Sequence, residues 1–254
     1  MNRLLVAIAL IIMLFACKKN NPELAAWQEH TRVADRYLTQ IDFTDSFGVV
    51  RTETEIYAEA GNLSAVNWNK KGGRFFDGIV KDKEGRVATM LLNGVRKLHF
   101  SYDAGGRIVK KTDILVLTSD TVTVTSYSYD GQGRLQTITD PTYAREMYYT
   151  GNNLNADSQV LWNVANGSST RNVYVYSYDI GSNPFNTLPD LVHYLDVDIR
   201  GSAGLTRNPI KTLTHYADGL QQSYSWYNCV YDAQGYLLMK VTNNKDTLKY
   251  YYNK

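Results

Sequence analysis

Cys17 stands in the setting that most directly specifies a reaction. It closes Leu14-Phe15-Ala16-Cys17 behind a ten-residue apolar run, residues 4–13, and a short basic start at Asn2-Arg3. That order is the pattern of an exported lipoprotein, in which the chain is cut before Cys17 and its thiol is acylated. The run is short for a permanent transmembrane helix, which needs about 20 residues. Acyl chains on Cys17 would anchor the protein, each buried methylene contributing about 0.8 kcal/mol. Residues 1–16 are therefore read as a signal peptide and 17–21, Cys17-Lys18-Lys19-Asn20-Asn21, as a polar tether. By resemblance to known lipoprotein sorting rules, the absence of Asp beside the lipid cysteine implies the outer membrane, with its periplasmic or outer face left open.

The other reactive residue types are scattered. With Cys17 acylated, Cys229 is the only thiol left of the 2 cysteines, so no internal disulfide forms. Its neighbours Tyr227-Asn228 and Val230-Tyr231 read as a strand, and a buried inert thiol is expected. His30, His99, His193 and His215 show no ligand spacing, and no metal is expected. Asp196-Val197-Asp198 begins like a calcium loop, but Arg200 replaces an oxygen ligand and Arg207 stands where the bidentate Glu belongs. There is no nucleophile elbow, phosphate loop or dinucleotide fingerprint, so no catalytic residue and no cofactor is assigned. With 27 basic and 25 acidic residues the charge is nearly balanced, and no nucleic-acid partner is expected.

The elements that must position these residues are announced by a repeat. Tyr102-Asp103-Ala104-Gly105-Gly106-Arg107 returns as Tyr129-Asp130-Gly131-Gln132-Gly133-Arg134 and as Tyr231-Asp232-Ala233-Gln234-Gly235-Tyr236, with a degenerate copy at Asp82–Arg86. Each copy reads as a strand end, a tight turn and a strand start. Asp103, Asp130 and Asp232 are expected to accept backbone N–H groups, and Gly106, Gly133 and Gly235 to take the left-handed conformation of a G1 bulge. From residue 49 onward the apolar period is two and turn residues punctuate it, giving strands from Val49–Ala58 through Thr247–Tyr252. Tyr174, Tyr176 and Tyr178 alternate on one face of one strand and are the candidate ligand-stacking row. Ahead of the strands, residues 22–42 show apolar residues at helical spacing, and residues 186–195 allow a short helical insertion.

These residues resemble the YD repeat of RHS-type proteins. Together with the lipoprotein-like start and Asn183-Pro184-Phe185, they resemble Bacteroidetes lipoproteins of unknown function with a porin-like curled sheet. The resemblance covers roughly residues 75–254 and implies a fold and a compartment more than an activity. The chain is too short to build the cargo-enclosing shell of large RHS proteins.

The expected fold is all-β: a long antiparallel meander over 43–254, curled into an open or closed barrel-like sheet because each strand pair adds twist. The expected function is a non-enzymatic envelope lipoprotein with a binding or scaffolding surface. Its partners would be the membrane, through the N-terminal lipid, and a glycan, lipid or envelope protein. The alternatives are a glycan-active hydrolase whose site assembles only in the fold, and a carrier of acyl chains. An integral outer-membrane barrel is disfavoured by Arg51, Glu53 and Glu55 alternating along one strand and by Lys254 at the end of the chain.

Overall fold

Every hairpin signal in the sequence becomes a hairpin. The computed structural model describes residues 38–59, 62–68, 74–163, 165–181, 208–243 and 245–252. They form sixteen strands, β1 (Leu38–Thr44), β2 (Val50–Glu59), β3 (Asn62–Trp68), β4 (Arg74–Lys81), β5 (Val87–Leu92), β6 (Arg96–Tyr102), β7 (Ile108–Leu115) and β8 (Thr121–Tyr129), continuing as β9 (Leu135–Asp140), β10 (Tyr143–Thr150), β11 (Asn153–Asn163), β12 (Ser168–Tyr178), β13 (Ile210–Ala217), β14 (Leu220–Tyr231), β15 (Leu237–Thr242) and β16 (Asp246–Tyr252). Each strand pairs antiparallel with its sequence neighbours. β1 also pairs with β16, from Leu38 opposite Tyr252 to Thr44 opposite Thr247, so the ring of pairings returns to its start.

Alternation decides which side chains are buried. In β6, Leu98 and Phe100 are buried while Lys97 and His99 are exposed; in β8, Thr125 and Tyr127 are buried between exposed Ser126 and Ser128. A strand turns successive side chains to opposite faces, so one face of the sheet becomes the interior. That face collects Val66, Phe76, Met90, Phe100, Ile138, Met147 and Leu154 into one core.

The alternation slips once in each strand that follows a connection at one rim. There, one extra residue is inserted in the register: Ser64, Ala88, Val109, Gln136, Asn155, Lys211 and Leu238, matched by Thr39 at the start of β1. The bulge puts the interior positions three apart instead of two. Leu38 and Ile41, Val87 and Met90, Leu135 and Ile138, and Leu154 and Asp157 are all buried pairs of this kind.

This device corrects the reading of the N-terminal helix. Residues 38–42, the end of the expected helical stretch 22–42, belong to β1. Leu38 and Ile41 are spaced like one face of a helix because the bulge at Thr39 separates them, not because the chain coils. Residues 22–37, the signal and tether, and the expected insertion at 186–195 lie outside the described residues.

In a meander, alternate connections fall at the same end. The repeat turns β4–β5, β6–β7, β8–β9 and β14–β15 therefore share one rim with β2–β3, β10–β11 and β12–β13. The other connections form the opposite rim.

Candidate functional site

At the repeat rim the four Asp turns have one geometry. The Asp103 N–H donates to the Arg107 carbonyl at 2.9 Å and the Gly106 N–H to the Asp103 carbonyl at 3.0 Å, while Asp103 Oδ1 accepts the Arg107 N–H at 2.9 Å. Asp82, Asp130 and Asp232 repeat this pattern. Gly106 and Gly133 close their turns at φ +80° and +79°, where a side chain is strained.

The arginine of each turn then does two things. Arg86, Arg107 and Arg134 donate Nε to the turn Asp at 2.7, 2.8 and 2.7 Å. Their guanidinium carbons lie 4.4, 4.7 and 4.7 Å from the ring centroids of Tyr102, Tyr129 and Tyr149, tyrosines that end the second strand after each turn. At β14–β15 Tyr236 replaces the arginine and meets the Tyr252 ring edge-on, centroids 5.3 Å apart.

The same tyrosines close the bulges. Tyr102 donates its hydroxyl to the Val87 carbonyl at 2.7 Å, Tyr129 to Ile108 at 2.7 Å, Tyr149 to Leu135 at 2.8 Å and Tyr252 to Leu237 at 2.9 Å. Tyr178 makes the corresponding bond to Leu154. Each accepting carbonyl belongs to the residue just before the inserted one, so the phenol satisfies a group at the point where the bulge disrupts the ladder. Burial pushes the Tyr149, Tyr178 and Tyr252 phenols above their ordinary range, which keeps them donors. The Tyr of the repeat is thus a staple between one hairpin and the next.

The exception is Tyr231, whose hydroxyl makes no such carbonyl bond. Its ring lies against Gly181, where a Cβ would fall 1.9 Å from a ring carbon. Burial, foremost, raises this phenol, with Cys229 and Asp179 adding to the shift.

The rim carboxylates carry a pH signature. At Asp103 the backbone and side-chain bonds from Arg107 hold the carboxyl below its ordinary value. At Asp82 and Asp130 burial opposes ionisation, but the bonds from Arg86 and Arg134 outweigh it and the shift is again downward. A depressed folded-state pKa gives stability that is present above the unfolded value, about 3.9, and lost as pH falls through the lower folded value. Urea midpoints should therefore drop on acidification into that window. The triple variant Arg86→Gln, Arg107→Gln, Arg134→Gln should start lower and drop less; an equal drop would remove the arginines from the effect.

A second cluster lies inside the sheet on β10, β11 and β12. Arg145 and Asp157 are both 0% exposed and pair at 2.9 Å. Asp157 also accepts the Tyr176 hydroxyl at 2.5 Å and the Gln159 amide at 3.0 Å. Burial works against the Arg145 charge, but the Asp157 carboxylate, with Tyr143 and Tyr176, overcomes it and raises the guanidinium above its ordinary range. Beside this cluster Tyr174 stacks on His215, centroids 4.6 Å apart, and His215 Nε2 meets Asn172 Oδ1 at 2.9 Å.

The tyrosine row is thereby placed. Tyr174, Tyr176 and Tyr178 share the interior face, with Tyr176 buried and the other two half-buried. Tyr176 is bonded to Asp157 and Tyr178 is a rim staple, which leaves Tyr174, with His215, as the half-buried aromatic surface of the row. Sequence reasoning missed Arg145–Asp157. Their signal is a charged residue at an interior position of each of two adjacent strands, visible only once the bulge at Asn155 is counted.

Among the described residues, no group of three His, Cys, Asp or Glu side chains is arranged to hold a metal ion. His99 is exposed on β6, and Cys229 is half-buried on β14, its thiol pushed up by burial. His30, His193 and Asp196–Gly201 lie outside the described residues. No described helix is long and apolar enough to cross a membrane. The outward face of the sheet exposes Lys97 and His99 on β6, Lys110 on β7, Gln136 on β9 and Glu146 on β10. A lysine on a lipid-facing strand costs about 2–4 kcal/mol at the bilayer midplane, so this face is not an apolar girdle.

No family description matches the chain, and no curated protein matches it. Among solved structures, a porin-like protein from Bacteroides uniformis is similar over 85% of this chain and 98% of its own, with TM-score 0.53 and 13% identity. A porin-like protein from Bacteroides vulgatus covers 86% and 99% with TM-score 0.40 and 14% identity. A TcdB2-TccC3-Cdc42 structure covers 77% of this chain but only 12% of its own, with TM-score 0.38 and 10% identity. The first likeness shows the fold: a porin-like, all-β curled sheet.

Proposed function

We propose that the chain is a non-enzymatic lipoprotein of the cell envelope, held to the outer membrane through Cys17, whose barrel binds or scaffolds an envelope component. The observation that carries the non-enzymatic reading is how the turn carboxylates and Asp157 are engaged. Asp82, Asp103 and Asp130 hold their own turns and arginines, and Asp157 is 0% exposed and bonded to Arg145, Tyr176 and Gln159. A general acid or base must reach a substrate proton, and these carboxylates face the protein instead. The half-buried Tyr174–His215 pair, with Asn172, is the interior surface best suited to stacking a sugar ring or acyl chain.

Two measurements test this. Cys17→Ser should move the protein from the membrane to the soluble fraction and abolish labelling by a fatty acid, with the barrel still folded by circular dichroism. Equal membrane retention of mutant and parent would remove the anchor. The soluble form should bind an envelope glycan or lipid in a screen without turning it over. Turnover abolished by one acidic substitution, with binding intact, would make the protein an enzyme.

A further inference from the structure

The two rims of the sheet differ in chemistry. The repeat rim is built mainly from Asp, Gly and Arg, with Ile180, 95% exposed, and Val80 as isolated exposed apolar side chains. The opposite rim carries most of the large apolar side chains that remain in solvent. Phe47 is 90% exposed and Leu117 93%, and Val49, Val50, Val95, Val116, Trp162 and Leu220 are also exposed. They sit in or beside the β1–β2, β5–β6, β7–β8, β11–β12 and β13–β14 connections, which fall at one end of a meander.

At one point they form a continuous patch. The Val116 N–H donates to the Val95 carbonyl at 3.0 Å, which holds the β5–β6 tip against the β7–β8 loop and groups Val95, Leu115, Val116 and Leu117. Leucine and phenylalanine at loop tips are unfavourable in water unless something covers them. Three of the carboxylates nearby are engaged: Asp45 accepts the Phe47 and Val49 N–H groups, Asp140 the Thr142 N–H and Asp218 the Arg171 N–H, while Asp120 is exposed.

We propose that the opposite rim is a membrane-docking surface, whose apolar tips enter the interfacial layer of the bilayer that holds the acylated Cys17. This rests on the lipoprotein reading above. The apolar tips come from separate hairpins around a rim. A fluid interface accommodates such an arrangement, whereas a rigid protein would need a matching ring. Chain length permits it. Cys17 precedes Leu38 by 21 residues, a reach of up to about 70 Å when extended, against about 25–40 Å for the strands. β1 begins at the repeat rim, and that length of chain is enough to reach from there to the opposite end.

The test uses the unacylated full chain, Cys17→Ser, with sonicated vesicles of phosphatidylethanolamine and phosphatidylcholine. Docking by apolar tips gives co-sedimentation that persists at high salt, because no charge is being screened. Leu117→Asp should lower the partition coefficient about tenfold or more, while Val80→Asp, exposed at the other rim, leaves it unchanged. A bimane probe at Leu117→Cys, in a Cys17→Ser, Cys229→Ser background, should be quenched by brominated acyl chains. Leu117 is exposed, so its substitution leaves the core intact. No co-sedimentation, equal loss in both Asp variants, or a self-association that Leu117→Asp disrupts in place of lipid binding would each overturn the docking surface. Fatty-acid labelling of the parent, and its loss in Cys17→Ser, would still report the anchor separately.

Discussion

Asp157→Ala will destabilise the barrel by about 3–5 kcal/mol, the loss seen when one partner of a buried ion pair is removed. Arg145 is fully buried, and the substitution takes away the carboxylate that pairs with its charge. The Tyr176 hydroxyl loses its acceptor at the same time. Chemical denaturation measures this directly. The paired change Arg145→Met with Asp157→Leu should recover most of the loss, since well-packed apolar side chains of similar volume replace such pairs at little cost. If Asp157→Ala alone leaves the midpoint unchanged, the pair is not buried as described. If the double variant is as unstable as the single, the network has a packing role beyond its charges.

The second large effect is expected where the sheet meets itself. Ile41 is 0% exposed on β1, opposite Tyr250 on β16 and Thr54 on β2. Ile41→Ala should cost about 2–5 kcal/mol through lost transfer energy and the cavity left behind. Because the residue sits in the closing strand, the loss should show first as cleavage in β1 under limited proteolysis. Val49→Ala, at an exposed position, is the comparison and should change little. Equal protease resistance of the Ile41 variant and the parent would mean that β1 does not hold the seam.

Much of the meander was legible because its signals are local. Each hairpin is specified by a few contiguous residues, and Asp130-Gly131-Gln132-Gly133 announces its turn without reference to anything distant. What failed were signals that the bulge imitates or hides. Leu38 and Ile41 look helical because an inserted Thr39 spaces them by three. Asp157 looks like a surface residue unless the extra Asn155 is counted, whereupon it falls inside beside Arg145. The tyrosines were legible as strand residues, but their destination was not. That Tyr102 reaches back to Val87 depends on which carbonyl the bulge disrupts, a fact of register. The apolar rim was hidden for another reason: Phe47, Val95, Leu117 and Leu220 lie far apart in the chain, and only the alternation of connections gathers them at one end.

The seam between β1 and β16 also bears on how the chain acquires its shape. Every other ladder joins sequence neighbours and can form as soon as its hairpin exists, whereas Leu38 must wait for Tyr252. Loop closure over so long a stretch adds only a slowly growing entropic cost, but it sets the order of events. A chain that folds from its N-terminus first assembles hairpin upon hairpin, most of them tied to the last by a tyrosine. During that interval the free edge of β1 is a template open to any passing strand. The hazard ends only when the final seven residues of β16 arrive to cap it.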